Sequence, residues 1–341
     1  MRRPAASGYM RGLSVVVVGM VCSVAGAASE PGDAHSLCLP TGPPPEEGYV
    51  RYVGAVEGRG LKVIGGVPAY WWYRGCGPTA AGMVIGYWDG QGLGKLIPGD
   101  ASSQTTMVDA AIASYGHYVD YSLPKDYWPD PILPDKSEDP PGDEHESNCI
   151  ADFMRTSWSA ADLYWGWSYF SAMDDALVDY VHWVNGTYGA WYESGSWSEP
   201  WGDLTWSAFV GEIDAGRPMV FLVDTDGDAS SDHFVTAIGY RDVYGYQEYA
   251  CLDTWDTGGY RWERFRGMSG QYDWGIHGGT YFVAMACVGD ITGDGVVDVV
   301  DLLEVLGAWG DCYACAADIT GDGVVDVLDL LEVLEGWGSC W

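Results

Sequence analysis

The chain has 341 residues, 16 Lys+Arg against 49 Asp+Glu, and a formal net charge of −33. That length accommodates two or three domains, and 48% hydrophobic with 14% aromatic content excludes a largely disordered chain despite the charge. So acidic a protein repels nucleic acid and anionic membrane surfaces. The charge is also uneven: residues 288–341 hold 12 Asp+Glu and no Lys or Arg, which suits that tail to meeting something cationic.

At the start, Met1-Arg2-Arg3 and Arg11 precede an apolar stretch from Leu13 to Ala27 that ends in small residues. Charge, apolar core and small-residue end are the pattern of a secretory signal over 1–28, and the run is short for a membrane span. The expected location is therefore secreted, cell-surface or periplasmic, where disulfides persist. Residues 29–58, with Pro43-Pro44-Pro45-Glu46-Glu47, read as a leading segment outside the core.

From 59 to 287 the sequence is aromatic-rich and mixed. Apolar periodicity predicts helices over Pro78–Trp88, Thr106–Ser114, Ala172–Trp183 and Trp206–Ala215. Alternation and β-branched content predict strands over Met219–Asp224, His233–Tyr240, Tyr246–Thr254 and Thr280–Ala286. Pro124–Asn148, rich in Pro and acid, reads as a surface excursion. Helices early and strands late imply an α+β domain with an antiparallel sheet.

The chemistry centres on Gly75-Cys76-Gly77-Pro78-Thr79-Ala80-Ala81. A cysteine at a helix start gains from the helix dipole, which favours thiolate, and main-chain N–H groups there can stabilise an oxyanion. A thiol nucleophile needs a base. Of six histidines, His233 opens a strand, and a tight hairpin centred between Val243 and Tyr244 brings Asp253 or Thr254 beside it. The order Cys76, His233, Asp253 is that of a Cys–His–acid triad. The alternative roles are a buried small hydrophobe for Cys76 and a turn cap, with Asp256, for Asp253. Asp224-Thr225-Asp226-Gly227-Asp228 lacks a glycine at the sixth position and reads as a plain acidic turn.

These residues, with Met83, Phe234-Val235, Gly239-Tyr240 and Thr254-Trp255, resemble the papain-clan peptidases related to the bacteriocin-processing (double-glycine leader) family. The resemblance spans about 59–285. It implies a papain-like α+β fold, a secreted cysteine hydrolase acting on peptide or protein, and Cys76, His233 and Asp253 as nucleophile, base and orienting acid. That family carries a glutamine about six residues before the cysteine as oxyanion donor. Here the stretch is Pro68–Tyr73, and the indole N–H of Trp71 or Trp72 is the candidate substitute. Two other readings use the same residues: a non-catalytic papain-like binding protein, and a thiol acyltransferase.

The tail repeats itself at a shift of 318 − 290 = 28 residues. Oxygen ligands fall at loop positions 1, 3, 5, 9 and 12: Asp290, Thr292, Asp294, Asp298 and Asp301, then Asp318, Thr320, Asp322, Asp326 and Asp329. Gly295 and Gly323 stand at position 6, and the carbonyls of Val296 and Val324 at position 7. This is the spacing of an EF-hand-type calcium loop, used twice and each time followed by an apolar helix. The pair, 288–341, resembles a type I dockerin. The resemblance implies a small all-α module that binds two calcium ions and docks onto a cohesin-like or surface protein. The cysteines obey the repeat as well, with Cys287 matching Cys315 and Cys312 matching Cys340. Two disulfides are expected, either closing each repeat separately or clasping Cys287 to Cys340.

Overall fold

A computed structural model describes residues 60–120, 145–156, 166, 168–292, 296–312 and 315–339. The expected signal and leading segment, most of the Pro- and acid-rich excursion, Cys38, Asp294, Gly295 and Cys340 lie outside the described residues. Among the described residues no helix is long and apolar enough to cross a membrane.

The architecture follows from one helix that can be buried on nearly every side. Helix α1 (Cys76–Gly90) carries glycine or alanine at positions 77, 80, 81, 82 and 86, and is buried from Cys76 to Tyr87. Small residues let neighbours approach its backbone. A Cβ on Gly82 would meet Ile112 at 2.6 Å, and one on Gly86 would meet the Tyr70 hydroxyl at 2.2 Å. Helices α2 (Thr106–Ile112), α3 (Tyr115–Asp120), α4 (Ile150–Phe153) and α5 (Met173–Tyr188) belong to this helical side. Ile112, Ile150, Met154, Leu177 and Val181 share one core with α1.

The other side is an antiparallel sheet. Its path runs β2 (Tyr192–Pro200), β7 (Gly275–Ala286), β3 (Met219–Asp224), β4 (His233–Val243), β5 (Tyr246–Leu252), β6 (Arg261–Arg264), and β1 (Leu61–Val63) pairs with the later part of β4. Strand β3 is buried at all six positions, so it is central. Its inner residues Val220 and Leu222 join the α1 core, and Phe221 and Val223 face a second core closed by α6 (Trp206–Asp214). Period-2 alternation thus builds both layers from one strand. The four expected helices and four expected strands all appear. Strand β2 is the notable addition; its run of Ser, Gly, Glu and Pro has little strand character and is held by nine pairings to β7.

The tail is not all-helical. Helices α7 (Val299–Gly307) and α8 (Val327–Glu335) are joined by two short ladders, β8 (Val296–Val297) with β11 (Gly338–Ser339), and β9 (Gly310–Asp311) with β10 (Val324–Val325). Val297, Val305, Val325 and Val333 form its core. Cys312 is bonded to Cys315, which rules out separate closure of each repeat. Cys287 is also disulfide-bonded, and Cys340 lies outside the described residues.

Because the Tyr70 hydroxyl fills the space at Gly86 and donates to the Ala101 carbonyl, Gly86→Ala is expected to destabilise by roughly 1–3 kcal/mol despite alanine's better helix propensity. Urea unfolding measures this; equal or greater stability would contradict the packing described.

Candidate active site

Cys76 is the first residue of α1, after Gly75 at φ +155°. A side chain at position 75 would meet the Gly166 carbonyl at 2.8 Å and the Pro78 ring at 3.0 Å, so the turn into the helix needs glycine. Pro78 sits in the first turn, where its missing N–H has no helical partner to lose. Thr79 ties the turn together: its Oγ1 donates to the Gly75 carbonyl at 2.6 Å and accepts from the Tyr73 amide at 3.0 Å. The Cys76 thiol thus stands at the positive end of a 15-residue helix. Its Sγ accepts the Phe234 amide of β4 at 3.3 Å, and one turn on, Thr236 Oγ1 donates to the Ala80 carbonyl at 2.9 Å. Two polar contacts therefore set the register of helix on strand.

His233, the first residue of β4, is 1% exposed. Its Nε2 lies 2.7 Å from the Asp253 carbonyl oxygen. A carbonyl only accepts, so Nε2 carries the proton and Nδ1 carries the lone pair. Nδ1 is buried and has no hydrogen-bond partner among the described residues. The Trp255 indole stacks on the ring at 4.0 Å between centroids, and Trp274 meets it edge-on at 6.4 Å. Burial in this aromatic box lowers the imidazole from 6.5 to about 3; the Asp253 carbonyl opposes the shift and the Arg261 guanidinium adds to it. His233 is therefore neutral at ordinary pH.

Asp253 is brought to His233 as expected, but through its carbonyl rather than its carboxylate. Its Oδ1 accepts the amides of Trp255 at 3.0 Å and Asp256 at 3.2 Å, and its Oδ2 lies 3.8 Å from Arg261. The turn-capping role weighed from the sequence describes this side chain. The hairpin itself turns at Tyr244-Gly245, both with positive φ, one residue later than expected.

Neither expected tryptophan takes over the glutamine's place simply. Trp71 is 47% exposed and its main chain pairs with Gln104 at 2.7 and 3.1 Å. Trp72 has a buried indole N–H, and its amide donates to the Thr254 carbonyl at 2.7 Å. That bond pins the approach to Cys76 against the segment that holds His233. Trp274 and Arg261 were not singled out from the sequence, and Trp255 was named only as part of the family resemblance. Trp255 follows the Asp253-Thr254 motif directly, the one signal that marked it.

A second Cys–His–Asp arrangement stands on the helical side. His117 Nδ1 is 2.8 Å from Asp152 Oδ1, and Cys149 lies beside them. Burial, then the Asp152 carboxylate, push the Cys149 thiol well above its usual range. In the acidic turn, Asp224 caps itself, accepting the amides of Gly227 and Ala229 at 2.7 and 2.8 Å.

In the tail, Asp301 Oδ1 accepts the Thr292 amide at 2.9 Å and Oδ2 the Asp298 amide at 2.8 Å. Asp329 repeats this with Thr320 at 2.9 Å and Asp326 at 2.8 Å. Asp318 accepts the amides of Asp322 and Gly323 at 3.1 and 2.8 Å. Asp290 is buried, and Thr292 Oγ1 is 3.3 Å from it. Main-chain amides of each loop thus hold its carboxylates in place.

Comparison with known proteins gives the family. The model of the Peptidase_C39 like family matches residues 64–275, more than half of the chain. The chain belongs to that family and is a cysteine peptidase. No curated protein matches it. Among solved structures it is similar to a digestive procathepsin L 3 of Tenebrio molitor larval midgut, at 14% identity, covering 74% of this chain and 76% of that one with a TM-score of 0.30.

The His233 shift has a signed consequence. A folded value near 3 against 6.5 unfolded means that the unfolded chain binds the extra proton between those pH values. The contribution is full above 6.5 and is lost as pH falls toward 3, on the order of 5 kcal/mol at most. Asp232, pushed up to about 6 chiefly by burial, acts in the opposite direction, so the comparison must be with a variant. Unfolding free energies of wild type and His233→Gln should converge as pH drops through this window. Parallel curves would contradict the buried neutral imidazole.

Proposed function

We propose that Cys76 is the nucleophile and His233 the base of an exported peptidase that hydrolyses peptide bonds through an acyl-enzyme. The observation that carries this is the bond from the Phe234 amide to Cys76 Sγ, which seats the thiol beside the residue following His233. His233 Nδ1, with its lone pair, takes the thiol proton. The sulfur then attacks the scissile carbonyl, and main-chain N–H groups at the start of α1 stabilise the oxyanion. The proton passes from His233 to the departing amine. Water, activated by the same Nδ1, then releases the acyl group as a carboxylic acid and restores the thiol. The Asp253 carbonyl holds the imidazole in the required tautomer, while the Asp253 carboxylate holds the loop.

Cys149 is the weaker candidate. It caps a helix of only four residues, and its raised thiol keeps its proton.

The tail fits a calcium-dependent docking module of dockerin type. The oxygen residues at the spacing of a calcium loop, repeated 28 residues on, support calcium. A ridge of exposed apolar side chains, Val299, Leu303 and Leu306 on α7 and Val327, Leu331 and Leu334 on α8, supports a protein partner of cohesin-like or surface type. Calcium would be held by the oxygens of Asp290, Thr292, Asp298 and Asp301 and by their counterparts 28 residues on.

Cys76→Ala should lower kcat/KM for peptide substrates by at least about 10³-fold. Asp253→Asn keeps the carbonyl and should cost no more than about tenfold. A loss near 10⁴-fold in Asp253→Asn would show instead that the carboxylate orients His233.

Chelation of calcium should lower the helical circular dichroism of the 288–341 region in the full chain, with calcium restoring it. Asp301→Ala combined with Asp329→Ala should abolish the response. A spectrum indifferent to calcium would refute the calcium loops.

A further inference from the structure

The described residues hold one further set of nitrogen, sulfur and oxygen donors, on the helical side and away from Cys76. We propose that His117, His145, Cys149 and Asp152 form a structural site for a zinc-class divalent cation. Ring nitrogen, thiol and carboxylate atoms of His117, Cys149 and Asp152 all lie within 4.8 Å of one another. The Asp152 carboxylate stands between two imidazoles, with His117 Nδ1 at 2.8 Å and His145 Nε2 at 3.0 Å on its two oxygens. The Asn148 amide also donates to Asp152 Oδ2, at 3.0 Å.

Burial argues that the cluster is built. His117, Cys149 and Asp152 are 1%, 0% and 4% exposed. Polar groups so buried need partners, and these side chains find theirs in one another, through His117 Nδ1 and the two oxygens of Asp152. Gly116 makes room for the fourth donor: any Cβ there would meet the His145 ring at 3.0 Å. Two imidazoles, a thiol and a carboxylate are the donors that borderline cations such as zinc prefer. Tetrahedral bonds of about 2.0–2.3 Å place ligand atoms roughly 3.3–3.8 Å apart, so the histidine–carboxylate pairs open by less than 1 Å, while the partly exposed His145 ring, which stands outside the 4.8 Å group, swings in as the fourth ligand. Binding forms a metal–sulfur bond, and the thiol proton leaves to solvent. Four protein ligands leave no open position, which makes the site structural. His117 and His145 bracket residues 118–144, so the ion would join both ends of that excursion to α4.

The test is a cobalt(II) titration of the full mature chain, followed by absorption and by displacement with zinc. Wild type should bind one equivalent with thiolate-to-metal charge transfer and the intense visible bands of tetrahedral cobalt. The tail loops, with oxygen donors alone, give neither signal. Cys76→Ala should retain both signals, Cys149→Ser should lose the charge-transfer band, and His145→Gln should bind at least about tenfold more weakly. Should Cys149→Ser fail to fold, the partly exposed His145→Gln decides the matter. Absence of the bands in wild type, their persistence in folded Cys149→Ser, unchanged affinity in His145→Gln, or their loss in Cys76→Ala would overturn the proposal.

Discussion

The hydrogen bond from the Phe234 amide to Cys76 Sγ is the constraint on which the rest turns. It exists because a helix bearing almost no side-chain bulk at its N-terminal end can be pressed onto a strand. Gly77 shows how tight the fit is: a Cβ there would meet Met154, Ser168 and Phe234 at 2.9–3.3 Å. Once α1 is seated, the thiol has the helix dipole behind it and β4 in front. The strand carries His233 to the same end, and the hairpin through Tyr244-Gly245 returns the Asp253 carbonyl to its ring. A thiol, an imidazole and a carbonyl that accepts from its ring are thus brought from three distant parts of the chain by ordinary packing rules.

The electrostatics divide along the same lines. Around His233 the environment is aromatic, and it keeps the imidazole neutral. Arg261 lies 3.5 Å over the Trp274 ring and pairs with Glu263 at 2.7 Å, so the cation near the site is itself compensated. The excess acid that dominates the composition lies elsewhere. In the tail it is placed on two loops, where main-chain amides hold the carboxylates in position. A single net charge of −33 therefore describes separate designs.

The places of Cys76 at a helix start and His233 at a strand start were legible because glycine and proline punctuate the first and period-2 alternation announces the second. Spacing also brought Asp253 to the histidine. It did not say which atom would arrive, since a residue count cannot tell a carbonyl from a carboxylate. The hairpin was misplaced by one residue because Tyr244 adopts a positive φ at 55°, which a tyrosine rarely does. Strand β2 was missed because its pairing to β7, not its own composition, makes it a strand. His117 and Asp152 are 35 residues apart with the acidic excursion between them, so only the fold brings them together. The repeat in the tail was plain. Separate closure of the repeats, which the repeat left open, is excluded only by Cys312–Cys315.

The central claim is that the thiol at the start of α1 is the one that does chemistry. An electrophilic peptidomimetic, reacted with the folded mature chain and mapped by peptide mass spectrometry, tests it most directly. The account predicts a single adduct on Cys76 that disappears in His233→Gln. An adduct on Cys149, or equal labelling of Cys76 with and without His233, would contradict it.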